Sequence, residues 1–336
     1  MKGLRGEGVM ESGGGADVVV GVDLGGTNTS VGVIDDSGRE LLHAKFPTRP
    51  TESAAEFVAR LAGVIRELVG KLPPGAALRG IGIASPAANG SRGTIESPAN
   101  LGWGTVNIMA LVRQYFDLPV AITNDANAAL LGEQTFGVAR GMKNVIMITL
   151  GTGLGTGIAV EGKLLLGENG AAGEFGHMTL DPHGRVCGCG RRGCVETYVS
   201  APGVRRTVHE LLAERLEESP LRSISFNDLT AETVSRLAKE GDTIALEALT
   251  ITGLHLGRLR ANLAAAFDPE AVVLYGGLVN AGEYLIGPAR QAFEQHAMNA
   301  YRGKVRILVS SLNNGEAAVL GAGCLVRDLL AGVEAA

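Results

Sequence analysis

The sequence is short of aromatic residues, positive charge, cysteine and long apolar runs, and each shortage removes a class of function. Phe, Trp and Tyr make up 4% of the 336 residues and Trp occurs once, which argues against a recognition platform of stacked rings and for recognition by hydrogen bonds. Lys and Arg number 30 against 35 Asp and Glu, a formal net charge of −5, so there is no basic field to hold nucleic acid or an anionic membrane. No apolar run approaches the roughly 20 residues of a membrane span. The opening "MKGLRGEGVMESGGGAD" lacks the apolar centre of a secretory signal. The expected compartment is the cytoplasm, with neither nucleic acid nor membrane as a partner. None of the three Gly-Lys pairs, at 70, 162 and 303, is followed by Ser or Thr, which excludes a P-loop of the Walker type.

Glycine is abundant instead, with 49 residues against a usual share of about 7%. The expectation is many tight turns or close backbone approaches to a ligand. A length of 336 residues with 46% hydrophobic and 19% charged side chains fits two ordinary domains. Residues 1–16 read as a Gly-rich flexible lead-in. From Val18, "VVVGVDLGGTNTSVGVIDDSGRELLHAKF" reads as an antiparallel meander. Residues 52–70 carry Phe57, Leu61, Val64, Ile65 and Leu68 at helical spacing, ended by Gly70 and two prolines. A strand "GIGIAS", a helix at 107–116, a strand "PVAIT" and a helix beginning after Asn124 and Asp125 follow. The stretch "NVIMITLGTGLGTGIAVEGKLLLG" repeats the opening meander, which predicts an internal duplication: two lobes of related fold with a cleft between them. Residues 225–267 read as helices, "AVVLYGG" as a buried strand and 315–331 as a terminal helix, so the class is α/β.

Three features carry chemistry. Two hairpin turns, "DLGGTNTS" at 23–30 and "TLGTGLGTG" at 149–157, are rich in Gly and hydroxyls. One alone is an ordinary turn; two at matching places predict a phosphate cradle, with Gly25, Gly26, Thr27, Asn28, Gly151, Thr152 and Gly153 around the phosphate and Asp23 on a hydrated Mg²⁺. The second loop fails the dinucleotide pattern, because Thr156 stands where the third Gly belongs and a strand follows. Asp125 sits where a strand ends and a helix begins, so it is either an N-cap or a general base for phosphoryl transfer to a hydroxyl. Finally, "CGCGRRGC" at 187–194 places three of the four cysteines together. In a reducing compartment Cys187, Cys189 and Cys194 predict a structural Zn²⁺ site whose fourth ligand is His177 or His183. A closed shell of three thiolates and one imidazole argues against a zinc hydrolase, which needs an open metal position. Cys324, in an apolar helix, reads as a small buried hydrophobe, and Trp103 as core packing.

Taken together, "DLGGTNTSVGVID", "NLGW" at 100–103, "NDANAALLGE" at 124–133, "LGTGLGTGI" at 150–158 and "GEFGHMTL…CGCGRRGCVE" at 173–196 resemble the ROK family of sugar kinases and related repressors. The likeness runs from about Val18 to the last helix and is nearest to the glucose-phosphorylating members. The resemblance implies a two-lobed actin-like ATPase (ribonuclease H-like) fold, with 17–123 plus 315–336 as the small lobe and 124–314 as the large one. It implies transfer of the γ-phosphate of ATP to the 6-hydroxyl of glucose, with Asp125 as general base. Asn100, Asn124, Asp125, Glu174, His177 and Glu196 would bind the sugar, and Gly276 and Gly277 the adenosine side of ATP. His177 would be the fourth zinc ligand, His183 a loop residue, and the assembly a homodimer or homotetramer. One departure bears on specificity: the family's Pro-Gly-Pro loop is here "SPAAN" at 85–89. Mannose, fructose, N-acetylglucosamine and N-acetylmannosamine are the alternative acceptors. A sugar-sensing repressor is the alternative of another class; it needs a DNA-binding module upstream, where only 16 residues precede the first strand, and Asp125 favours an enzyme.

Overall fold

The structure is a computed structural model that describes residues 17–98, 101–312 and 315–332. Residues 17–47 form the expected meander, β1 (Asp17–Leu24), β2 (Asn28–Asp35) and β3 (Glu40–Pro47). Val18, Val19, Val20 and Val22 are all buried because β1 is covered on both faces. Helix α1 (Ala54–Val69) starts with a capping box between Ser53 and Glu56 and buries Phe57, Leu61, Ile65 and Leu68. Then come β4 (Ala77–Ala84), the short pair β5 (Ala88–Asn89) and β6 (Thr94–Ile95), α2 (Ile108–Arg113) and β7 (Val120–Thr123). The sheet order is β3-β2-β1-β4-β7, antiparallel through the meander and parallel from β1 to β7.

After α3 (Asp125–Phe136) the plan repeats. Strands β8 (Val145–Leu150), β9 (Leu154–Val160) and β10 (Lys163–Leu164) precede α4 (Ala201–Glu214), α5 (Ala231–Lys239), α6 (Thr243–Phe267), β11 (Ala271–Tyr275), α7 (Glu283–His296), β12 (Arg306–Val309) and α8 (Glu316–Leu330). The second sheet, β10-β9-β8-β11-β12, has the same order and the same strand senses as the first. The duplication read from the two glycine meanders is therefore present in the topology.

Several boundaries differ from expectation. The helical stretch at 225–267 begins only at Ala231 and is broken before Thr243, where Gly241 takes a φ of +92°. Helix α2 stops at Arg113, short of 116. Helices α4 and α7 and strand β12 were not anticipated. Pro202 at the start of α4 and the Gly287–Pro288 pair inside α7 obscure the periodicity, and β12 is short and half open to solvent. Trp103 is core packing, 5.3 Å from the Phe57 ring with its indole N–H donated to Glu52 O at 2.8 Å. Cys324 is buried in α8, and burial pushes its thiol pKa up. Among the described residues, no helix is long and apolar enough to cross a membrane.

Helices α3 and α8 pack on each other between the two sheets, α8 against β1 and β4 and α3 against β8 and β9. Glycine makes this possible. A Cβ on Gly82 of β4 would lie 1.7 Å from Ala322 O of α8, and one on Gly321 of α8 would lie 1.7 Å from Ala128 O of α3. Sixteen described glycines take positive φ, as the expected tight turns require, and others are spent on helix contact. Gly82→Ala is expected to destabilise the protein by about 3 kcal/mol, because backbone must move to admit one methyl group. Gly63→Ala, in α1 with nothing near its would-be Cβ, should stabilise it by about 0.5–1 kcal/mol. Thermal unfolding of the two variants beside the parent checks both signs.

Candidate active site

Asp23, Ala84 and Thr123 lie side by side in register on β1, β4 and β7, so Asp23 and the residues after Thr123 emerge from the same edge of the first sheet. The helix that follows is capped by Asn124, whose Oδ1 accepts the Asn127 N–H at 2.7 Å. Asp125 is therefore the first residue of α3 and not its cap. Its Oδ1 takes the adjacent Ala126 N–H at 2.9 Å, and its side chain is half-buried. Burial raises its pKa, opposed by the backbone N–H groups of Ala126 and of Asp125 itself. Burial and the Asp125 charge together raise Asp23 to about 7, with Lys45 of β3 pulling the other way. Lys45 has no motif to mark it; only the pairing of Ser30 with Lys45 across β2 and β3 brings it near.

The second sheet supplies the opposite wall. Gly151 N–H donates to Gly153 O at 3.0 Å, as Gly25 N–H donates to Asn28 O at 3.1 Å, so each loop uses one donor to close its own turn. Gly26 is half-buried, while Thr27, Asn28 and Thr152 are exposed. Gly276, at a φ of +106°, follows β11 so closely that a Cβ would sit 2.5 Å from Leu150 O. The pair Gly276–Gly277 therefore adjoins the second loop. Gly151, Thr152 and Gly277 line a cavity of about 750 Å³ together with Thr233, Arg236 and Lys239 of α5. Sequence reasoning missed these α5 residues, since only the fold brings α5 to the loop.

Thr156, the residue that breaks the dinucleotide pattern, is buried; its hydroxyl donates to Gly173 O and accepts the Phe175 N–H at 3.4 Å. It thereby pins the segment that carries Glu174 and His177. Glu174 Oε2 lies 4.0 Å from His177 Nε2. Burial raises the Glu174 pKa, His177 lowers it, and the charges of Asp125 and Glu196 raise it again. Glu174 still leaves 57% of its side chain open, so water tempers all of these effects. Glu196 Oε2 accepts the Leu154 N–H of the second loop at 2.9 Å. Asp125, Glu174, His177 and Glu196 thus share one cleft. Asn100 lies outside the described residues. In the "SPAAN" loop, Asn89 is buried and donates to Asn169 O at 2.9 Å, joining that loop to the segment just before Glu174.

On its other ring nitrogen His177 faces the cysteines. A tetrahedral Zn²⁺ with Zn–S of about 2.3 Å and Zn–N of about 2.0–2.1 Å separates two sulfurs by about 3.8 Å and nitrogen from sulfur by about 3.6 Å. Cys189 Sγ and Cys194 Sγ are 3.7 Å apart, and His177 Nδ1 is 3.6 Å from Cys187 Sγ. The ligand atoms of His177, Cys187, Cys189 and Cys194 all lie within 4.8 Å of one another, so the donor set fits the ion. His183 is exposed and is not a member of this group.

The ROK family profile matches residues 19–329. A glucokinase from Halalkalibacterium halodurans is 36% identical over 313 residues, 92% of this chain and 94% of the relative. A xylose repressor from Caldicellulosiruptor bescii is 30% identical over 93% of this chain and 79% of its own length. The crystal structure of a ROK family glucokinase from Streptomyces griseus in complex with glucose and AMPPNP superposes with a TM-score of 0.76 at 33% identity, covering 93% of this chain and 99% of that one.

Proposed function

The chain belongs to the ROK family, and on that premise we propose that it is an ATP-dependent glucokinase of the two-lobed actin-like ATPase fold. The observation that carries the mechanism is local: Asn124 caps α3, which leaves the Asp125 carboxylate available for chemistry. Asp125 takes the proton of the glucose 6-hydroxyl as that oxygen attacks the γ-phosphorus. The new O6–P bond forms as the bond from the γ-phosphorus to the bridging oxygen breaks, and ADP leaves. Burial makes Asp125 a stronger base than an exposed carboxylate.

The remaining groups orient the sugar. With Asn124 Oδ1 committed to the cap, its amide N–H₂ is left to donate. Glu174 and Glu196 accept from sugar hydroxyls, and Nε2 of His177 reaches another. Asn100 belongs to the same set by resemblance. The two glycine turns and the Gly276–Gly277 pair hold ATP, with the adenosine side in the cavity beside α5. Asp23 would hold Mg²⁺, which neutralises phosphate charge when bound with ATP. His177 Nδ1, Cys187, Cys189 and Cys194 would hold Zn²⁺, a closed structural shell that orients the loop from Glu174 to Glu196. Residues 17–123 with 315–336, and 124–314, are the lobes whose closure excludes water from the phosphoryl group. A cytoplasmic location is consistent with ATP as donor and with thiols kept reduced for metal, and the family resemblance adds a homodimer or homotetramer. Because "SPAAN" replaces Pro-Gly-Pro beside the sugar, mannose, fructose and the N-acetylhexosamines are the competing acceptors.

A coupled ADP-release assay over that sugar panel should show the strongest stimulation by glucose. Asp125→Asn should cut kcat by about 10²- to 10⁴-fold while glucose still binds. Should no sugar stimulate release, or the variant stay active, the assignment is wrong. The base acts only when deprotonated, and burial raises its pKa. The acid limb of kcat/KM should therefore lie above the ordinary aspartate value of 3.8, with activity falling as pH drops through it. Purified protein should carry about one zinc per chain. Chelation, or Cys189→Ala, should raise the glucose KM far more than the ATP KM; an equal rise in both would mean that the metal supports folding alone.

A further inference from the structure

Glu196 is held from two sides. On one side Cys194, two residues earlier, belongs to the cysteine and histidine group. On the other, the carbonyl of Thr197 accepts a 2.7 Å hydrogen bond from Arg185 Nη1. We infer that Arg185 is a positioning residue for sugar recognition, a metal-independent clamp that sets where the Glu196 carboxylate stands; this deepens the kinase reading and rests on it.

The Arg185 side chain is only 10% exposed, and the five donors of its guanidinium each have an acceptor. Nη1 reaches Thr197 O and, at 3.1 Å, Gly203 O; Nη2 reaches Thr207 Oγ1 at 2.9 Å and Glu210 Oε2; Nε reaches Glu210 Oε1 at 2.9 Å. The same cation lies 4.4 Å over the Tyr198 ring. The Arg185 backbone N–H donates to the Tyr198 hydroxyl at 3.2 Å. One side chain thus ties the metal loop to α4 and to the short helical turn Val195–Thr197 that carries Glu196. Ser200 Oγ adds a bond to Glu196 O at 2.7 Å. From there Glu196 Oε2 meets Leu154 N–H, so the chain of contacts runs from α4 through Arg185 and Glu196 to the second glycine loop. A lysine cannot substitute: it has three donors on a point charge where the site needs a planar fork.

Arg185→Met, Arg185→Lys and Glu210→Gln are to be measured for zinc content, direct glucose binding, and the KM values for glucose and ATP. Loss of a charge-assisted bond to a buried carbonyl should raise the glucose KM of Arg185→Met about tenfold or more. The ATP KM should move far less, and zinc should stay at the parent's stoichiometry. Arg185→Lys should keep most of the defect. Glu210→Gln should show a smaller one in the same direction, and these two carry the test if the methionine variant does not fold. Unchanged glucose KM in the variants, or a parallel rise of both KM values with loss of zinc, overturns the inference. If the parent protein binds no hexose, the kinase reading itself falls and takes this inference with it, an outcome visible before any variant is made.

Discussion

Everything in the cleft depends on how closely α3 and α8 can approach each other and the two sheets. The contact is backbone against backbone: Gly82 under Ala322, Gly321 against Ala128, and Gly157 of β9 against Ala126 O, where a Cβ would stand 2.6 Å away. An interior this tight tolerates no added methyl group without displacement of main chain. The consequence for function is positional. Helix α3 begins one residue after β7, so its seating on β9 and α8 fixes Asp125 relative to both sheets at once. With larger residues at these crossings the sheets would stand further apart, and the carboxylates of the first half could not meet the loops of the second.

Much of this arrangement was legible in the sequence because its signals are local. The meanders announce themselves through β-rich runs separated by glycine turns, and α1 through a helical stripe ended by Gly70. Asp125 was only half legible. Its position after a strand was clear, but Asn and Asp cap helices about equally well, so only geometry shows that Asn124 has the cap. Glycine was legible in amount and as turns, which sixteen described glycines at positive φ bear out, but its use in helix contact was not, since a crossing helix leaves no pattern in the strand it covers. The two candidates for the fourth ligand, His177 and His183, are separated by a turn that spacing does not resolve. Lys45, Arg185 and the α5 residues could not have been found, because their partners are set by tertiary contacts and by no recurring spacing.

The electrostatics of the cleft have a single logic. Burial is the largest cause of the raised pKa values of Asp23, Asp125 and Glu174, and the Asp125 charge adds to it at Asp23 and, with that of Glu196, at Glu174. His177 and Lys45 offset part of it. On the kinase reading the rest would be met by ligands: sugar hydroxyls that donate to carboxylates, and a hydrated cation that accompanies phosphate. A site of this charge repels a bare polyanion, so on the kinase reading ATP would arrive with its metal and lean on the backbone N–H groups of the glycine turns, with Arg236 and Lys239 lining the cavity beside them.

The cysteine loop stands one step away from that chemistry, and its design explains why. A metal with four protein ligands has no position left for substrate, so its influence must pass through a residue it shares with the site. His177 is that residue: Nδ1 faces Cys187 and Nε2 faces Glu174. Metal binding would fix the tautomer, because an imidazole that gives Nδ1 to a cation keeps its proton on Nε2. On the kinase reading it would then present a donor to the sugar, while Glu174 and Glu196 would present acceptors. Relatives named as a xylose repressor and as glucokinases match this chain over nine-tenths of its length, so one fold serves more than one function. On the kinase reading, the group that would add phosphate transfer is the carboxylate at the start of α3, which Asn124 relieves of the cap.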